Sequence, residues 1–370
     1  GTGIRRYKMT DSRSPFPAPR SPIKVLIVDD SAAVRLHLWN ILESDPDIHI
    51  IGTVGNGEEA VRFVENRRPD VITMDIDMPK MNGLEAIRRI METHPLPIVV
   101  VSATFDKNDL EKTFLAMDAG AIAVSNKPLG EGHPDSEKAA RDLVQTVKAM
   151  SEVKMVKRWT SARKSGITHI IEPEEPLVQA SGKVKLVVIG ASTGGPPVIK
   201  TILSGLTNGL HVPLLVVQHI AKGFLEGMVE WLNHTTDLPV HIAMHKERLM
   251  PGHVYFAPDD YHMGLNSSGR IELSKALPEN ALRPSVSYLF RSTINAFDGD
   301  SVGVLLTGMG KDGAEELRHM KEKGATTIAQ DEESSVVFGM PGEAVRLGAA
   351  THILPPEKIA AVIRSLTKES

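Results

Sequence analysis

Lys24-Val25-Leu26-Ile27-Val28-Asp29-Asp30-Ser31 decides the reading of the first half of the chain. A mostly apolar run stops at two carboxylates, and Ser31 follows in the position of a helix N-cap. A buried strand that ends in polar residues and gives way to helical periodicity opens a βα unit around a parallel sheet. The pattern repeats. Strands are expected at Lys24–Val28, Ile48–Thr53, Val71–Met74, Ile98–Val101 and Ala121–Val124. Helices are expected from near Ser31, Gly57, Asn82 and Lys107, with a last one from about Ser136 to Met150.

Five strands and five helices in about 125 residues form a doubly wound α/β domain of flavodoxin-like order, in which ligands sit at the carboxyl ends of the strands. Asp29 and Asp30 follow the first strand, Asp75 follows the third, Ser102 closes the fourth and Lys127 comes just after the fifth. Carboxylates gathered that closely repel one another without a cation, and oxygen-only donors suit Mg²⁺. One aspartate could then attack phosphorus, with the hydroxyl and the ammonium stabilising the phosphoryl oxygens. Any one of these residues alone reads better as an ordinary polar strand end. All five at the correct ends are hard to dismiss.

Composition narrows the field. The 370 residues are 41% hydrophobic and 24% charged, the balance of a soluble globular protein long enough for two domains. A net charge of -4 argues against a nucleic-acid partner. The absence of cysteine excludes disulfides, thiolate metal sites and cysteine nucleophiles, and favours a reducing, cytoplasmic setting. No apolar run is long enough for direct membrane insertion. Residues 1–22 are rich in Arg, Pro and Ser, lack a signal-like apolar region, and are expected to be a disordered tail or an expression remnant.

Domain limits of 23–150 and 183–370 are expected, joined by a linker over 151–182. The linker pairs a basic run (Lys154, Lys157, Arg158, Arg163, Lys164) with the acidic stretch Glu172-Pro173-Glu174-Glu175-Pro176. Beyond it a second αβ pattern begins. The strand Lys185–Ile189 runs into Gly190-Ala191-Ser192-Thr193-Gly194-Gly195-Pro196-Pro197, a G-x-S-x-G turn that exposes a serine ahead of a helix. The strand Val212–Val217 ends in Gln218-His219, and Ser301–Leu306 leads into Thr307-Gly308-Met309-Gly310-Lys311-Asp312-Gly313. The glycines of this last segment also fit G-x-G-x-x-G, with Asp331 near the end of the next strand, so a dinucleotide site competes. Asp312 inside the turn would repel a pyrophosphate. It suits the acid that orients His219, making Ser192, His219 and Asp312 a triad.

The first half resembles the receiver domains of bacterial two-component signalling. The likeness rests on Val28-Asp29-Asp30-Ser31, Met74-Asp75-Ile76-Asp77-Met78-Pro79, Asn82-Gly83, Ser102 and Lys127-Pro128. It implies that Asp75 is the phosphoacceptor, that Asp29, Asp30 and Asp75 hold Mg²⁺, and that Ser102 and Lys127 contact the phosphoryl group. Many receivers carry an aromatic residue where this chain has Val124. The second half resembles the chemotaxis protein-glutamate methylesterases, the CheB family. The matching segments include Gly190–Pro196, Gln218-His219 with Gly223-Phe224, Pro251–Tyr255, His262-Met263, Arg283-Pro284-Ser285-Val286, Leu306–Gly310, Asp312-Gly313 and Val337–Pro341.

That resemblance implies Ser192 as nucleophile, His219 as general base and Asp312 as its partner. It places an oxyanion site at the Met309 amide with amides near Ser192 and Thr193, and requires no cofactor for the ester chemistry. The implied substrates are glutamate γ-methyl esters, and some glutamines, on the cytoplasmic helices of chemoreceptors. A cognate histidine kinase would be the phosphodonor, and the receiver would cover the active site until phosphorylated. Two departures, Ala221-Lys222 where the family often has Pro-Pro and Ser287 where it often has aspartate, are expected not to touch the triad. A receiver-gated protein that only binds a receptor or nucleotide is the alternative.

Overall fold

The structure is a computed structural model that describes residues 21–102, 107–128, 136–153, 155, 184–207 and 209–368. Nearly all of the expected tail and most of the expected linker lie outside the described residues.

The first unit alternates strand and helix: β1 (Ile23–Val28), α1 (Ala32–Glu43), β2 (Ile48–Val54), α2 (Gly57–Asn66), β3 (Val71–Met74), α3 (Gly83–Thr93), β4 (Ile98–Ser102), α4 (Lys107–Asp118), β5 (Ala123–Asn126) and α5 (Ser136–Ser151). Its five strands pair in parallel in the order β2-β1-β3-β4-β5. Both faces are buried, which is why β1, β3 and β4 are almost continuously apolar. Leu26, Val28, Ile72, Met74, Ile98 and Val100 pack towards α2 and α3, and Val25, Ile27, Val71, Val99 and Val101 towards α1 and α5. Polar side chains start the helices, Ser31 among them as the sequence implied. Ser31, Asn56 and Asn82 accept hydrogen bonds from the amides of Val34, Glu59 and Glu85.

One strand lies two residues later than expected. Ala121 and Ile122 are buried but precede the ladder, whose register runs from Val99–Ala123 to Ser102–Asn126. An apolar lead-in and a paired strand look alike in sequence; only the partner strand distinguishes them.

The second unit comprises β6 (Leu186–Ala191), α6 (Gly195–Leu206), β7 (Leu214–Gln218), α7 (Leu225–Thr235), β8 (Val240–Ile242), β9 (Val254–Phe256), β10 (His262–Leu265), β11 (Ile271–Ser274), α8 (Val286–Phe297), β12 (Ser301–Leu305), α9 (Ala314–Glu322), β13 (Thr326–Gln330), α10 (Met340–Arg346), β14 (His352–Leu354) and α11 (Pro356–Leu366). Seven parallel strands form one sheet in the order β14-β13-β12-β6-β7-β9-β8, while β10 and β11 form a separate antiparallel hairpin against α8. The chain winds from β6 outward in both directions. Its switch point therefore lies between β6 and β12, where a ligand crevice is expected.

The two units touch. Phe114 of α4 stacks on Trp231 of α7 at 5.4 Å between ring centroids. Lys200 of α6 reaches Asp118 at 2.6 Å and lies 5.1 Å over the same indole. Asn126 donates to the Lys222 carbonyl at 3.1 Å. Val124 packs against the apolar clusters of both units.

Candidate active site

Ser192 follows β6 directly, and its amide donates to the Thr307 carbonyl at 3.0 Å, tying the turn to the end of β12. Gly194 has φ +76, and a Cβ there would sit 2.5 Å from Val336 Cβ. The position needs glycine for conformation and for space. Gln218 Nε2 donates to the carbonyls of both Ser192 and His219 at 2.8 Å, so one side chain sets the spacing of two strand ends.

His219 Nε2 lies 3.1 Å from Asp312 Oδ2, an ion-pair distance at which the N–H points off the hydrogen-bond line. Nδ1 is then the nitrogen left to take a proton. Ser192 Oγ makes no hydrogen bond among the described residues.

Asp312 is buried and its carboxylate is held by the N-terminus of α8. Its Oδ1 accepts from Ser285 Oγ (2.9 Å), Ser287 N (3.2 Å) and Asn280 Nδ2 (3.3 Å), and its Oδ2 from Val286 N (2.7 Å). Burial opposes its charge, but the His219 contact, the Val286 amide and Ser287 outweigh that cost and hold the carboxyl far below its usual range. The dinucleotide alternative gains nothing from Asp331, whose carboxylate caps the turn at Ser334.

The amides of Thr193 and Met309 donate to no acceptor among the described residues. Neighbouring groups are committed. Thr307 Oγ1 donates to the Thr193 carbonyl, and the Gly308 carbonyl accepts from Gly339 and Met340. The amide of Ser192 itself is spent on Thr307, which removes it from the expected oxyanion set.

The expectation that position 287 stands clear of the triad is wrong. Ser287 N binds Asp312, and Ser287 Oγ accepts from Gly313 N at 3.0 Å. Motif reading gave no role to Gln218, Asn280, Ser285, Ser287 or Thr307, which hold the three expected residues in place. Ser285, an N-cap ahead of an apolar helix, was the readable one among them.

In the first unit, β1 and β3 are neighbours and bring Asp29, Asp30 and Asp75 within 4.8 Å of one another. Lys127 Nζ lies 2.8 Å from Asp29 Oδ2 and 3.1 Å from Asp75 Oδ2, and its amide donates to the Ser102 carbonyl. Burial, opposed by Lys127 and reinforced by Asp29, pushes the Asp75 carboxyl up to about 6. Burial works against the Lys127 charge, yet the two aspartates raise its pKa. The buried Asp29 Oδ2 has no hydrogen bond of regular geometry. Three close carboxylates with that atom turned inward fit a hard divalent cation. Two side chains beyond the expected set serve this site. Arg35 Nη1 donates to the carbonyls of Asp29 and Asp30, and Lys112 of α4 binds Asp77 at 2.7 Å.

Residues 187–363 match the CheB methylesterase family and residues 25–133 the response regulator receiver domain. A protein-glutamate methylesterase/protein-glutamine glutaminase of Geobacter metallireducens is 56% identical over 94% of this chain and 99% of its own length. The chain belongs to the CheB methylesterase family. A second member, from Nitrosospira multiformis, is 55% identical over 94% of the chain and 98% of its own length. The solved catalytic domain of Thermotoga maritima CheB methylesterase is 38% identical, covers 50% of this chain and 98% of that domain, and superposes with a TM-score of 0.48. In this CheB family member, the second departure, Ala221-Lys222, lies at the seam between the two units, where the Lys222 carbonyl meets Asn126.

Proposed function

We propose that this protein is a phosphorylation-activated protein-glutamate methylesterase, able also to deamidate glutamines, acting in the cytoplasm on chemoreceptor helices. One observation supports the reading: a serine on a glycine turn and a histidine follow the ends of adjacent strands, and a buried, firmly held aspartate lies 3.1 Å from that histidine. Ser192 Oγ attacks the ester carbonyl carbon and passes its proton to His219 Nδ1. The imidazolium is stabilised by Asp312, and the Thr193 and Met309 amides receive the oxyanion, a donor set whose members are typically worth about 10²–10³ in rate each. The carbonyl re-forms, the C–O bond to the methoxy group breaks, and the proton on His219 leaves with methanol. Water, deprotonated by His219, then frees the glutamate. With a glutamine, ammonia leaves in place of methanol.

In the receiver unit Asp75 is the phosphoacceptor for a histidine kinase. Asp29, Asp30 and Asp75 would hold Mg²⁺, which supplies charge neutralisation there. Lys127 and Ser102 bind the phosphoryl oxygens, and Lys127 also offsets the repulsion between Asp29 and Asp75. Control follows from contact. Val336 and Val337, the first of which walls the Gly194 turn, also pack against the receiver core. Methanol release from methylated receptor fragments, with and without acetyl phosphate and Mg²⁺, tests the reading. Release that rises with the phosphodonor supports it, and no release from several receptors with either form refutes it.

A further inference from the structure

We infer that Ser287 and Glu316 are positioning residues for the catalytic aspartate, acting together as one unit through the Ser287 hydroxyl. The inference rests on the esterase reading and goes beyond it, because neither side chain touches substrate.

The geometry is closed on every side. Ser287 Oγ donates to Glu316 Oε2 at 2.6 Å, so its lone pairs are left to face Gly313 N, which donates to it at 3.0 Å. Gly313 follows Asp312 immediately and has φ +84, with no room for a side chain against Val286. The hydroxyl therefore pins the peptide bond next to the aspartate, while the Ser287 amide binds the aspartate's own Oδ1. Glu316 is aimed in turn by Arg291 at 3.3 Å. Arg291 also binds Glu279, next to Asn280, whose amide reaches Asp312. Ser287 is 5% exposed, so water is a poor substitute for either of its partners. A serine without the glutamate could rotate its proton towards other acceptors. The carboxylate permits only one orientation.

Loss of the hydroxyl leaves Gly313 N and Glu316 Oε2 without partners and frees the turn that carries Asp312. A tilt of that carboxylate weakens its hold on the imidazolium formed in the transition state, but not the binding of the ground-state ester. The rate constant should fall while KM stays.

The full-length protein is compared with Ser287→Ala, Glu316→Ala and the double variant, using methanol release from a methylated receptor fragment, with Ser287→Thr and Glu316→Gln as conservative replacements. Stoichiometric labelling of Ser192 by a fluorophosphonate is read in parallel on each. Ser287→Ala should lower kcat about tenfold with KM within about twofold, the rate equivalent of one hydrogen bond. The double variant should be no worse than Ser287→Ala alone, because the two groups act as a unit. At least one of Ser287→Thr and Glu316→Gln should return kcat to within about threefold of the parent. A kcat unchanged in Ser287→Ala, losses that multiply in the double variant, or a rise confined to KM would overturn the inference. If the parent neither releases methanol nor is labelled at Ser192, the esterase reading itself has failed. A labelled, active parent with an indifferent Ser287→Ala sinks the positioning role alone.

Discussion

Asp312 has four hydrogen-bond donors and a histidine around one carboxylate, and His219, the Val286 amide and Ser287 depress its pKa against the opposing effect of burial. A carboxyl whose folded pKa lies below the unfolded one contributes stability that is present above the unfolded value and lost only as pH falls through the folded one. Asp312 therefore stays ionised throughout the range in which the enzyme can be assayed. Asp312→Asn, which keeps the shape and loses the charge, should lower kcat by roughly 10³–10⁴ at every pH from 6 to 9. A steady-state profile that recovered at one end of that range would contradict this. Asp75 has the opposite sign. Its pKa is raised to about 6, so the fold prefers it protonated, and the cost is present in full above that pH and fades as pH falls through 6. In chelator, Asp75→Asn should melt above the parent at pH 8, with the gap closing towards pH 5. Equal melting temperatures at pH 8, read by circular dichroism, would refute the burial argument. Ser192, His219 and the acidic cluster were legible because each sits one or two residues past an apolar strand, and Asp312 because it closes the glycine turn that follows one. Ser287 and Asn280 were not, because they serve Asp312 from 25 and 32 residues away, Ser287 through a main-chain amide that carries no sequence signature.

Among the elements, the starts of strongly periodic helices such as α2 and α3 were readable to within a residue. The stretch from β8 to β11 was not, since strands of three or four residues give no usable alternation. With it went the loop after β11, which delivers Asn280 to Asp312. The turn between β6 and α6 is the opposite case, legible and exacting. Gly194→Ala would force an L-residue to φ +76 and drive its methyl into Val336. It should destabilise the catalytic unit by about 1–3 kcal/mol and lower kcat by misplacing Ser192. Urea melts together with Ser192 labelling check both halves. A variant as stable and as readily labelled as the parent would show that the turn tolerates the strain.

At the scale of the molecule, the seam between α4 and α7 was invisible to sequence reading. Each helix alone looks like an ordinary amphipathic helix, and nothing in Phe114 or Trp231 marks them as partners. The missing aromatic at Val124 takes on a meaning only here, since that side chain packs on both units. The Lys200–Asp118 pair is partly exposed, and its worth to folding is small. It ties α4 of one unit to α6 of the other. Asp118→Ala should raise methanol release in the absence of phosphodonor and speed amide exchange along α4. Unchanged basal release would place control elsewhere. Asp75→Asn should abolish stimulation by acetyl phosphate, and stimulation equal to that of the parent would remove Asp75 from the phosphoacceptor role.

Val336 belongs to two neighbourhoods at once, the serine turn and the receiver core, where Val337 joins it. A shared wall has no preferred direction. Whatever occupancy of the phosphate site does through it to ligand affinity at the esterase site, occupancy of the esterase site must return to the phosphate site with equal free energy, by thermodynamic linkage. A stable adduct on Ser192 should therefore tighten the receiver's equilibrium binding of Mg²⁺ with a phosphoryl mimic such as beryllium fluoride. The receptor, on this view, is an effector as well as a substrate: while bound, it helps to keep switched on the enzyme that erases its methyl marks.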